Sequence, residues 1–182
     1  AELFNKKGYA GTSLSDISEA TGLTKGSIYG NFENKDDVAK EVYLYNARLV
    51  QAGIANDLNP EMTSREKLMA LLNHYRNSWD AHFSRGGCPI MNTAIESDDT
   101  MPFLKTEVKK SFKAWSDKIA RIIDEGKSKN EILDYVNPSD YSYLFIMLIE
   151  GGILISKTTD YRNHLFNALD RITKIIDTEL RS

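Results

Sequence analysis

The sequence predicts an all-α protein, with an N-terminal three-helix domain joined by a linking helix to a larger helical domain. Three observations lead there. Apolar residues recur at helical spacings along most of the chain, and no segment shows a sustained strand-like alternation. The breaks fall at glycine, proline and Ser/Thr/Asn capping signals rather than at hairpin turns. Apolar residues make up 41% of the 182 residues and only four are proline, which suits one ordinary core or a small domain joined to a larger one.

Each element has its own signal. Residues 1–7 read as the end of a helix, with Leu3 and Phe4 facing inward and Gly8 as its stop. The opening AELF already follows the helical pattern, so the native start is expected to be missing. A second helix starts at GTSLSDI, where Thr12 or Ser13 can cap and Asp16 suits the positive end, and it stops at Gly22. A short helix over about 25–32 and a longer one over about 35–52 follow. Thr63 and Glu66 form a capping box for a helix to about residue 84. RGGCP breaks the chain, IMNTAIES is a short helical piece, and Pro102 opens a long helix to about residue 127. Asn137-Pro138 starts SYLFIMLIEGGILI, apolar on every side and therefore expected to be buried against more than one neighbour. The last helix, about 161–180, carries Leu165, Leu169, Ile172 and Ile176 at spacings of 4, 3 and 4. The domain boundary is expected within the fourth helix, giving domains at 1–48 and 49–182.

Composition excludes several classes. The net charge is −3, and residues 1–50 hold six Lys/Arg against seven Asp/Glu, so charge alone gives no support for nucleic-acid binding. One cysteine, Cys88, permits no internal disulfide and points to a reducing cytoplasm. No signal peptide and no uninterrupted apolar run long enough for a membrane span is present. Three histidines without a Cys or carboxylate cluster imply neither a metal nor a cofactor.

The stretch GLTKGSIYGNF, residues 22–32, places glycines at 22, 26 and 30. A phosphate loop would need a preceding strand and a Gly-Lys-Ser/Thr order, and neither is present. A membrane packing seam would need apolar surroundings, which Thr24, Lys25, Ser27 and Asn31 deny. A helix-turn-helix fits. Gly22 suits the turn, Thr24 caps the second helix, and Lys25, Gly26 and Ser27 form the first turn, the part that enters the major groove. Ile17, Ala20, Leu23, Ile28 and Phe32 are expected as its small core. Tyr29 and Lys35 are placed to reach phosphates.

ELFNKKGYAGTSLSDISEATGLTKGSIYGNFENKDDV resembles the N-terminal DNA-binding region of TetR/AcrR-family transcriptional regulators, nearly continuously over residues 2–38. The carrying pattern is G-x-x-x-x-x-I-x-x-A-x-G-[LV]-[ST]-x-G-x-[IL]-Y-x-x-F-x-x-K. RGGCPIMNTAIESDD and EGKSKNEILDYVNPSDYSYLFIMLIEGGILI more loosely resemble a regulatory-domain variant. The resemblance implies a homodimer on double-stranded operator DNA, with a small-molecule effector pocket in the larger domain. It gives DNA-contact roles to Thr12, Thr24, Lys25, Ser27, Tyr29 and Lys35; Gly26 and Asn31 complete the candidate face. Gly30 and Asn31 stand where the family usually carries bulkier residues, so no base preference is implied there.

In the larger domain the terminal stripe Leu165, Leu169, Ile172 and Ile176 is expected at the dimer interface. The effector pocket is sought among Trp79, Phe83, Met91, Phe103, Phe112, Trp115, Tyr143, Met147 and Glu150; a carboxylate inside an apolar helix needs a partner. The function expected is a repressor released from its operator by an effector. The rivals are a ligand-binding adaptor without DNA binding and a hydrolase using Cys88 with His74 or His82. Against the hydrolase, Cys88 has only Arg85 nearby in sequence to activate it, so no catalytic residue is assigned.

Overall fold

The computed structural model describes residues 1–181. The α-helices are α1 (Glu2–Lys7), α2 (Leu14–Thr21), α3 (Lys25–Tyr29), α4 (Lys35–Asn56), α5 (Ser64–Asn77), α6 (Trp79–Ser84), α7 (Pro89–Ser97), α8 (Pro102–Ser128), α9 (Pro138–Thr158) and α10 (Asn163–Ile175). A π-helical turn, Ile176–Leu180, closes the chain. No strand occurs among the described residues, only an isolated bridge between Ile132 and Arg181.

The start signals fold as the sequence dictates. Ser13 and Asp16 form a capping box on α2, and Thr63 and Glu66 form one on α5. Pro89 opens α7 behind Cys88, and Pro138 opens α9 behind the Asn137 cap, because a missing N–H costs nothing in the first turn. The helix expected to reach residue 84 is instead broken at Ser78, whose hydroxyl donates to the His74 carbonyl and ends α5.

The chain divides into two compact units. One comprises Ala1–Leu49 together with Ser84–Ser111, the other Val50–Phe83 with Phe112–Ser182. The first therefore takes in a segment well beyond residue 48, and polar side chains explain why. Asn5 donates to the carbonyls of Arg85 (2.7 Å) and Gly87 (3.0 Å), and Asn92 donates back to the Asn5 side chain at 3.0 Å. Tyr43 and Ser111 share a buried hydrogen bond of 2.7 Å.

In the second unit, Leu68, Leu71 and Leu72 of α5, Ile119 and Ile123 of α8, Ile149 and Ile153 of α9, and Leu165, Leu169 and Ile172 of α10 are all buried. Helix α10 packs along α9 closely enough that a β-carbon on Gly152 would lie 3.0 Å from the Leu165 Cα. A side chain at 152 would therefore push the two helices apart by a few tenths of an ångström.

Candidate nucleic-acid interface

Helices α2 and α3 meet at a turn whose geometry follows from a few residues. Gly22 adopts φ 71°, ψ 4°, the left-handed conformation that glycine takes without steric cost, and its N–H reaches the Ser18 carbonyl at 2.9 Å. The Ser18 hydroxyl donates to the Leu23 carbonyl, fixing the far side of the turn. Thr24 then caps α3, its hydroxyl oxygen accepting from the Ser27 N–H at 3.1 Å, a cap worth about 1 kcal/mol.

The core beneath differs from the expectation in part. Ile17, Ile28 and Val38 are buried, with Leu3, Phe4, Leu14, Phe32 and Val42 packed on them. Leu23 is 47% exposed, and Ala20 is exposed as well. The left-handed step at Gly22 ends α2 before Leu23 can turn inward. Val38 and Val42 of α4 fill the place instead.

Above this core lies an exposed face. Thr24, Lys25, Gly26, Ser27, Tyr29 and Asn31 are all on the surface. Tyr29 is half exposed, and neither its hydroxyl nor the Lys25 ammonium is bonded to another described residue. Asn31 donates its amide to the Ser27 carbonyl at 2.9 Å, so it lies folded along its own helix. A β-carbon on Gly26 would meet only the Thr24 hydroxyl at 3.9 Å, and one on Gly30 only carbonyl oxygens at 3.4 and 3.5 Å. Gly22 is thus a demand of the fold, whereas Gly26 and Gly30 are not.

Two expected contacts lie elsewhere. Thr12 is fully buried, with its hydroxyl donating to the Gly8 carbonyl at 2.6 Å, so it closes the turn after α1 and offers no side chain to DNA. Lys35 donates to the Tyr9 carbonyl at 2.7 Å and lies 4.1 Å from the Tyr9 ring centroid. Its charge is spent inside the unit, on a cation–π contact and a carbonyl, and it is not a free phosphate ligand.

That turn carries a feature the sequence reading missed. Glu96 of α7 accepts from the backbone N–H groups of Tyr9 (2.7 Å) and Ala10 (2.8 Å). The Tyr9 hydroxyl donates to Asp36 at the start of α4. This bond, burial, and the charges of Asp36 and Glu96 push the Tyr9 phenol up to about 12. Lys7 pairs with Asp16 at 2.7 Å, which, with the Ser13 cap, holds that carboxyl well below the usual range. The capping-box spacing foretold the Ser13–Asp16 bonds; no local signal tied Glu96 to a turn 86 residues away.

The remaining candidates separate by unit and by exposure. Met91 and Phe103 belong to the first unit, and Met91 is buried there. In the second unit Trp79, Trp115 and Glu150 are buried, and Phe112 is half-buried. Trp115 stacks on Tyr75 with centroids 5.9 Å apart, and its indole N–H meets no acceptor among the described residues. Phe83, Tyr143 and Met147 are exposed, Met147 at 62%, so the latter two do not line an interior pocket. The stripe Leu165, Leu169, Ile172 and Ile176 is at most 3% exposed and packs into its own chain, so it is not a dimer surface. Cys88 is buried at the start of α7. His74 Nδ1 lies 2.7 Å from Asp57, and His82 Nδ1 lies 2.9 Å from the Ser78 carbonyl.

A capped second helix that presents lysine, serine and tyrosine beside bare backbone, set on a helical body, defines a helix-turn-helix DNA-binding protein. The chain belongs to the TetR family: residues 1–42 match "Bacterial regulatory proteins, tetR family", and residues 64–172 match "Tetracyclin repressor-like, C-terminal domain". A TetR transcriptional regulator from Chloroflexus aurantiacus J-10-FL shares the fold with a TM-score of 0.91 at 34% identity, over 99% of this chain and 91% of that one. The uncharacterized HTH-type transcriptional regulator YxaF of Bacillus subtilis is 26% identical over 97% of this chain and 90% of its own length. The HTH-type transcriptional repressor DhaR of Mycobacterium sp. strain GP1 is 26% identical over 90% of this chain and 81% of its own length. This protein is a DNA-binding transcriptional regulator. Among the described residues, no helix is long and apolar enough to cross a membrane.

Proposed function

We propose that the protein is a twofold repressor, released from its operator by a small molecule. The exposed face of α3 carries this reading. The outer atoms of Lys25, Ser27 and Tyr29 have no partner among the described residues, and Gly26 leaves the backbone open between them. A lysine and a phenol suit phosphate oxygens, a serine suits a base edge or a phosphate, and the glycine lets α3 sit deep in the major groove.

The second copy is proposed to dock on α9. Tyr143, Met147, Leu154 and Ile155 are each at least 43% exposed and share one helical face. Gly151 lies on that face with open space around it, so a partner helix can approach its backbone. A twofold dimer matches a palindromic site with half-sites about 34–36 Å apart.

The effector is proposed to enter the second unit among Trp79, Phe112, Trp115 and Glu150, where the unpaired indole N–H of Trp115 offers a donor. To empty the operator, the effector must favour the released state by about 10³–10⁴-fold. Nuclease footprinting of the DNA upstream of the protein's own gene tests the reading. Protection of a twofold-symmetric site supports it, and uniform or absent protection rejects it.

A further inference from the structure

An open cleft of about 360 Å³ in the second unit has no task in the proposed repression. The turn after α4 forms one wall with Leu58, Asn59 and Pro60; Lys67 of α5 and Lys118, Arg121, Ile122 and Glu125 of α8 form the rest. Lys118, Arg121, Ile122 and Glu125 stand at helical spacings of 3, 1 and 3, one side of α8.

The charges in the cleft do not balance. Lys67 is neutralised by Glu125 at 2.6 Å, with its side chain only 13% exposed. Asp117, on the same helix, is occupied by Lys113 at 2.7 Å. Among the described residues Lys118 and Arg121 form no ion pair, although the Arg121 charge acts on Glu125 from a distance. Arg121 spends only its Nε, on the Asp117 carbonyl at 3.2 Å, so the outer nitrogens of its guanidinium remain available. Lys118 has no hydrogen-bond or ion-pair partner among the described residues. Burial, and then the Arg121 charge, hold its pKa below the ordinary lysine value, so a fixed anion there would remove a standing repulsion. Asn59 uses its side-chain carbonyl to accept from the Glu61 N–H at 3.0 Å, which leaves its amide as a third donor. Leu58, Pro60 and the buried Ile122 supply the apolar part.

We infer that this cleft binds a small amphipathic anion, its carboxylate or phosphate head between Lys118, Arg121 and Asn59 and its apolar body against Leu58, Pro60 and Ile122. The donor set is that of an anion site, since arginine and lysine converge with an amide and the one carboxylate in the lining is already paired. Recognition of this ligand is a property of the second unit and does not depend on the operator reading.

Titration calorimetry of the intact protein, without DNA, tests it with decanoate, decyl phosphate and the uncharged decanol. One of the two anions is expected to bind once per protomer, and decanol at least about tenfold more weakly. Which anion binds tells a carboxylate ligand from a phosphate one. Lys118→Gln, at a half-buried position, and Arg121→Gln, at an exposed one, should each weaken that binding by about tenfold while the protein still unfolds cooperatively on heating. Lys157→Gln, outside the cleft, should leave it intact. Binding of neither anion, equal binding of decanol, or full-strength binding to the Lys118→Gln, Arg121→Gln double variant would overturn the assignment.

Discussion

At position 26 a β-carbon would have no neighbour nearer than 3.9 Å, and the residue sits in an ordinary helical turn. Alanine is the better helix former by about 1 kcal/mol. Gly26→Ala should therefore leave the melting temperature unchanged or raise it, while weakening operator binding by about 1–3 kcal/mol, the scale of one lost base contact. Equal operator affinity would show that the groove does not need bare backbone there. Lys25→Ala should weaken operator and random DNA alike and lower the salt slope by about one per contact, read from binding isotherms at several salt concentrations. A loss confined to the operator would make Lys25 a base reader. The sequence made Lys25, Ser27 and Tyr29 legible because a motif fixes their place on a helix. It misled at Thr12 and Lys35, where residues suited to phosphate contact are used instead by the neighbouring turn, a fact set by tertiary contacts.

At the scale of elements, periodicity identifies a buried face without saying what buries it. The α10 stripe is fully satisfied by its own chain, and the unpartnered apolar face lies on α9. Leu169→Ala should thus lower stability by about 2–5 kcal/mol in denaturant titration and leave the oligomeric state of the folded fraction alone. Met147→Glu combined with Leu154→Glu should yield folded monomers in sedimentation; persistent dimers would place the interface elsewhere. The clamp from α7 is a second test. Glu96→Ala strands the N–H groups of Tyr9 and Ala10 and should cost about 2 kcal/mol by the same titration. The tie between residues 84–111 and the first helices was not legible, because single Asn and Glu side chains with no local periodicity make it.

For the whole molecule, two phenols set an alkaline limit. Hydrogen bonding to Asp36 pushes Tyr9 up to about 12, and burial does the same to Tyr43. Both favour the protonated form in the folded state. Their contribution is complete below pH 10 and is lost as pH rises from about 10 to 12. Tyr141 is raised as well, by burial and by Glu179, so absorbance titration should show three of the nine tyrosines ionising late, with loss of helicity by circular dichroism. Tyr9→Phe should remove one late step. The net charge of −3 supplies no general attraction for DNA, so affinity must come from fitted contacts at the recognition helix. The most direct measurement is fluorescence anisotropy of the protein on the DNA upstream of its own gene, against scrambled DNA, at two salt concentrations. A preference of about a thousandfold or more for the upstream DNA that persists at the higher salt is the predicted result. Equal binding to both DNAs, or binding that vanishes with salt, would contradict the account.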